Sequence, residues 1–329
     1  MRRREFICGL GASLAAFPGA RAQSQRSWRI GVLTTTSESD AEWGSELAEF
    51  LAGLKDHGWN DGVNCRVSHV SGGSEPKAMV RAAGEVMRLN PDVVVARSTL
   101  AVKALVDGGS TAPVVFVSVG DPVGEGFAAS MARPGGRITG FTNFEPALAG
   151  KWVELLRQVT PSAARIAVVY NPQVAVAGLG YYAPVIEAAA RAQALDVKRV
   201  PVSASGDIDR ELGHVAREGR TGLVIPPDAF VVVHRRTIIE AAARHRLPAV
   251  YPFRNMAVEG GLLSYGVNVA ALYRRCATYV DRILRGANPG ELPIQTPTGF
   301  ELVLNAKAAR ALGLDIPPSL LARADEVIE

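Results

Sequence analysis

Short valine-rich runs alternate along this chain with longer segments whose apolar residues recur every three to four positions. "WRIGVLT" (28–34), "VNCRVSHV" (63–70), "DVVVA" (92–96) and "APVVFVSV" (112–119) read as strands. Between them, "AEWGSELAEFLAGLKDHGW", "EPKAMVRAAGEVMRL" and "STLAVKALVDGG" carry helical periodicity. Near-continuous valine means that both faces of a strand are covered, the mark of a parallel sheet with helices on each side. The pattern then restarts. "ARIAVVYN", "DVKRVPV", "GLVIP" and "LPAVY" read as strands, separated by helical stretches at 181–195, 207–218 and 231–246. Two such series without residue-level similarity predict an α/β protein of two doubly wound parallel-sheet lobes, not a tandem array.

The boundary falls in the loop-rich "ARPGGRITGFTNFEPALAG". A second crossing is expected near "GGLLSYGVN" and a third in the proline-punctuated C-terminal stretch. One lobe would then comprise 28–142 plus about 267–295, the other 143–266 plus about 296–329. Lobes joined by several strands make a hinge with a cleft between them.

Composition narrows the class. At 329 residues, 48% hydrophobic and 21% charged, the chain has the balance of an ordinary globular protein. Residues 1–22 read as an export signal: a basic start, an apolar run from Phe6 to Phe17, and the small-x-small site Ala20-Arg21-Ala22. Arg3-Arg4-Glu5-Phe6-Ile7 has twin-arginine character, with an arginine-rich general secretory signal as the alternative. The apolar run is too short to span a bilayer, so no membrane insertion is expected after cleavage, and the periplasm is the expected location. Cleavage removes four arginines and one glutamate and lowers the net charge from +4 to +1. No basic run interleaved with aromatics remains, which argues against a nucleic-acid partner. Cys65 and Cys276 survive cleavage and read as buried free thiols, with a disulfide between them as the alternative in an oxidising compartment. The five histidines show no metal-ligand spacing, and no cofactor is called for.

In open parallel sheets, ligands sit beyond the carboxyl ends of the strands. In the first series that rule selects Thr34, Thr35, Arg97, Ser98, Thr99, Ser118 and Asp121. In the second it selects Asn171, Asp228 and Tyr251, to which Asn143, Tyr181 and Tyr265 are added from neighbouring loops. Ser98 or Thr99 would cap a helix whose amide ends face the cleft, a setting for a carboxylate, and Arg97 could add a charged fork to the same anion. Asp228 has capping of a helix as its default role, with contact to a ligand ammonium as the alternative, and the two are compatible.

Two motifs invite catalytic readings. Gly124-Glu125-Gly126-Phe127-Ala128-Ala129 spells G-x-G-x-x-A, yet Gly120-Asp121-Pro122-Val123 separate it from the preceding strand. Asp121-Pro122 instead looks like the cap of a short helix ending before Pro134, with the glycines serving turns and close packing. "GGLLSYG" falls one residue short of a nucleophile elbow around Ser264. Neither supports an enzyme.

"TAPVVFVSVGDPVGEGFAASMARPGGRITGF", "GKWVELLRQVTPSAARIAVVYNP", "GGLLSYGVN" and the C-terminal block from "YVDRILRGANPGELPIQTPTGF" onward resemble the exported substrate-binding proteins of ABC transporters. The group most similar is the one containing tryptophan and phenylalanine binders. The resemblance implies a type I periplasmic-binding fold, three hinge crossings, capture of a small molecule by closure, and delivery to ABC permease subunits. It also implies ligand contacts from the loops after the first, third and fourth strands, which hold Thr34, Thr35, Arg97, Ser98, Thr99, Ser118 and Asp121. Arg97 departs from the small residue usual there and favours a carboxylate-bearing ligand. Two other readings stand beside this one: an exported nicotinamide-dependent oxidoreductase, and the ligand-binding subunit of a sensory receptor.

Overall fold

A computed structural model describes residues 27–143, 145–174 and 176–329, and leaves undescribed the side chains at 146, 176–179 and 181. Residues 1–22, read above as an export signal, lie outside the described residues. The first valine-rich series builds a five-stranded sheet from β1 (Trp28–Thr34), β2 (Cys65–Ser71), β3 (Val93–Arg97), β4 (Val114–Val119) and β5 (Ile138–Thr142), in the order β2-β1-β3-β4-β5. All its pairings are parallel, and every residue of β3 is buried, as the unbroken apolar run requires. Helices α1 (Ala41–Asp56), α2 (Pro76–Arg88) and α3 (Thr99–Asp107) connect them.

The second series builds a seven-stranded sheet from β6 (Arg165–Tyr170), β7 (Asp196–Pro201), β8 (Thr221–Val224), β9 (Ala249–Tyr251), β10 (Leu263–Gly266), β11 (Glu301–Asn305) and β12 (Glu326–Ile328). Its order is β12-β11-β10-β9-β8-β6-β7, parallel throughout except for the β10–β11 pair. Within it, β7-β6-β8-β9-β10 repeats the order of the first sheet. Each lobe therefore reverses direction once, between β1 and β3 and between β6 and β8, and such switch points are where this architecture opens a crevice. The connecting helices are α4 (Pro146–Val159), α5 (Val176–Ala192), α6 (Ile208–Arg217), α7 (Ala229–Val233), α8 (Arg235–Arg244) and α9 (Arg254–Val258).

The chain passes between the sheets after β5, after β10, and before β11. The second passage delivers α10 (Val269–Leu284) back to the first lobe, where it lies along α1. Gly53 makes that contact close: a Cβ there would stand 2.7 Å from the Arg274 carbonyl oxygen and 2.8 Å from Ala277 Cβ. On the third passage Gln295 pairs with β5, its N–H donating to the Gly140 carbonyl and its own carbonyl accepting from Thr142 N–H. The last helices, α11 (Ala306–Leu312) and α12 (Pro318–Leu321), cover the end of the second sheet.

Two expectations from the sequence are corrected. The helix predicted over 231–246 is two helices broken at His234, and the break lets Arg235 turn inward, where it is 5% exposed and bound to Asp40 and Glu259. The short helix expected after Asp121-Pro122 is a set of turns. Asp121 Oδ1 accepts from Gly124 N–H at 2.8 Å, and Gly126, at φ +75°, leaves the right-handed helical region. A Cβ at Gly124 would collide with the Asp121 carboxylate, so the glycine makes room for that cap. Cys65 and Cys276 are buried free thiols, and burial pushes the Cys65 thiol up to about 11 and Cys276 higher still. No described helix is long and apolar enough to cross a membrane.

Candidate functional site

The two switch points face each other across one cleft. From the first lobe it is lined by Thr35 after β1, by Arg97 to Leu100 at the β3–α3 junction, by Ser118 near the end of β4, and by Gly120, Asp121 and Glu125 after it. Asn143 lies where the chain leaves β5. From the second lobe come Val174, Tyr182, Pro227, Asp228, Ala229, Val232 and Phe253. Thr35, Arg97, Ser98, Thr99, Ser118, Asp121, Asn143 and Asp228, all selected from the sequence, are thus brought together.

Local backbone shapes this surface. Ser98 sits at φ +89° and Ser118 at φ +60°, both in the region that a side chain makes costly. Ser98 caps α3 by accepting from Ala101 N–H at 3.3 Å. Ser118 occupies the register shift between β4 and β5, and its buried Oγ makes no hydrogen bond. Thr99 Oγ1 accepts from Gly120 N–H at 3.4 Å and ties the two strand ends together.

The charge of Arg97 is directed elsewhere than the sequence suggested. The residue is 2% exposed; its guanidinium donates to Glu42 Oε1 at 2.8 Å and Thr36 Oγ1 at 3.1 Å, and Glu46 Oε1 lies 3.0 Å away. Burial pushes the Glu46 carboxyl up to about 8, with Arg97 opposing the shift and Glu42 adding to it, so Glu46 holds a proton near neutrality while Glu42 balances the guanidinium. The carboxylate contact expected of Arg97 is therefore met inside the protein.

On the opposite wall, Asp228 caps α7, its Oδ1 accepting from Val231 N–H at 2.6 Å. Its Oδ2 accepts from Asn171 N–H at 3.3 Å. Burial raises the Asp228 carboxyl to about 6, against the pull of these backbone donors. Burial also raises Glu125. With Arg97 balanced, the charged groups lining the cleft leave an excess of carboxylate from Asp121, Glu125 and Asp228.

Four selected residues lie elsewhere. Thr34 is fully buried and bonds His69 Nε2 at 2.7 Å and the Thr36 carbonyl at 2.9 Å. Asn171 stands behind Asp228, its amide donating to the Ser203 carbonyl. Tyr251, 1% exposed, packs over Gly261. Tyr265 is half-buried against Phe300, with its carbonyl accepting from Trp152 Nε1. The side chain of Tyr181 lies outside the described residues. Its neighbour Tyr182, on the buried stripe it shares with Ile186 and Ala190 along α5, lines the cleft. Phe253 was legible from the strand-end rule, two residues past β9. Among the described residues, no group of three or more His, Cys, Asp or Glu side chains is placed to hold a metal ion.

Paired doubly wound sheets, three passages between them and a lined cleft at facing switch points define a two-lobed ligand-binding protein. More particularly, the chain belongs to the ABC transporter substrate binding protein family, which matches residues 43–328. It is 22% identical over 270 residues to the tyrosine-binding protein of Clostridioides difficile, covering 80% of this chain and 75% of that one. Among solved structures it resembles a conserved domain protein from Vibrio cholerae, with 27% identity, a TM-score of 0.83, and coverage of 92% of this chain and 100% of the other. A protein from Streptococcus pneumonia in complex with L-Trp gives 22% identity, the same TM-score, and the same coverage of both chains. The fold is the type I periplasmic-binding fold.

Proposed function

We propose that this protein is the exported, periplasmic solute-binding component of an ABC uptake transporter. It captures an amino acid with an apolar or aromatic side chain and delivers it to the permease. The observation that carries the ligand class is the charge pattern of the cleft. The start of α3 presents amide ends and the hydroxyls of Ser98 and Thr99, a surface suited to a carboxylate. Asp228 on the facing wall offers an ammonium partner, and Tyr182, Phe253, Val174 and Val232 offer apolar contact. A zwitterion satisfies both polar ends at once; a simple dicarboxylate would meet the surplus acids unpaired. The relatives named above for tyrosine and L-Trp support the same class. Binding draws the lobes together, and the closed form is what the permease receives.

The direct test is mass spectrometry of the small molecule retained on native purification, with titration calorimetry of L-tryptophan, L-tyrosine and L-phenylalanine. An aromatic or aliphatic amino acid bound one per chain is the expected result. Exclusive binding of a dicarboxylate or a polyol would sink the proposal.

A further inference from the structure

Among the described residues, polar contacts from one end of α1 join the lobes beside the cleft. Asp40 caps that helix by accepting from Glu42 N–H at 3.0 Å, and its carboxylate meets Arg235 Nη2 of the second lobe at 2.9 Å. Glu42 Oε2 accepts from Asn255 Nδ2 of α9, also in the second lobe, at 2.6 Å. Arg235 is itself held by Glu259 at 2.9 Å and by the Val232 carbonyl at 3.1 Å. These groups are largely withdrawn from water, unlike the mobile surface pairs that contribute little, and a charged partner strengthens each contact.

The other Glu42 oxygen, Oε1, is gripped by Arg97 from inside the first lobe. Arg97 is followed directly by Ser98 and Thr99, which line the cleft. A continuous path therefore runs from the floor of the cleft through Arg97 and Glu42 to Asn255 across the gap.

We propose that the start of α1 is a closure latch, in which Asp40 and Glu42 hold the second lobe through Arg235 and Asn255, and Arg97 aims Glu42 at its partner. Arg97 is then a positioning residue that sets affinity without touching the ligand, because apparent affinity scales with the fraction of molecules in the binding-competent form. The proposal rests on the reading that the lobes open and close.

The test uses ligand-free protein labelled with spin probes at Val80→Cys and Arg217→Cys, exposed positions in opposite lobes, the native thiols being buried. Pulsed EPR is expected to resolve closed and open distances. Asn255→Ala should lower the closed-to-open ratio about ten-fold. Glu42→Ala should do the same, and the double variant should go no further, since either substitution alone already removes the Glu42–Asn255 contact across the gap. Arg97→Lys, which keeps the charge and loses the planar fork, should lower the ratio in the parent protein and leave it unchanged in the Asn255→Ala background. Two resolved distances whose ratio Asn255→Ala leaves unchanged, or single effects that simply add, overturn the latch alone. One distance common to all variants overturns the closure reading as well. An Arg97→Lys protein with a lower unfolding midpoint and an unaltered ratio removes Arg97 from the latch.

Discussion

Single ionisable groups give the sharpest expectations. Asp228→Asn should weaken binding of an amino acid by about 1.5–3 kcal/mol, the range for hydrogen bonds to charged groups, and should spare a ligand lacking the ammonium. Calorimetry with each L-amino acid and its deaminated analogue checks this. Burial pushes the Asp228 carboxyl up to about 6, and only its ionised form attracts an ammonium, so affinity should fall as pH drops below about 6. Glu46 makes the opposite kind of demand, on stability. Its folded value of about 8 lies above the ordinary carboxylate range, so the folded state binds the extra proton between about 4.5 and 8. Stability should decline as pH rises through that window, and Glu46→Gln should flatten the decline in urea unfolding measured at several pH values. Arg97→Ala leaves Glu42 without its buried partner and should cost about 3 kcal/mol of stability in the same experiment.

At the scale of elements, the strands were readable because apolar β-branched runs have few alternatives, and the strand-end rule then found most of the cleft. Side-chain direction was less readable. Arg97 and Ser98 are neighbours, yet only one sends its polar atoms toward the cleft, because Glu42 and Glu46 on α1 claim the guanidinium. That pairing joins residues some fifty positions apart and leaves no local pattern. Tyr251 was placed in the cleft for ending a strand, but alternation along so short a strand decides which face a ring takes, and it went to the core. The helix after Asp121 failed for a further reason: proline at a first helical position marks only a start, and glycine at φ +75° ended the run after one turn. The α1–α10 contact supplies an element-scale expectation. Gly53→Ala puts a methyl against the Arg274 carbonyl and should destabilise the protein by about 1–3 kcal/mol, read as a lowered melting temperature.

For the whole molecule, the two lobes repeat one strand order, so the cleft is where two switch points meet and needs no dedicated binding motif. Ligand identity is correspondingly the part least written in the sequence: it depends on which side chains face each other from lobes that no local pattern relates. A cognate amino acid at a hundred times its Kd should stabilise the folded state by about 2.7 kcal/mol, visible as a raised melting temperature. The passage of α10 back to the first lobe has a consequence during synthesis. The strands of that lobe are complete at residue 142, but the helix that covers α1 begins only at Val269, after most of the second lobe has been made. Until then the flank of α1 lies bare, and a fragment ending at residue 266 should be cut by proteases far faster than the whole chain.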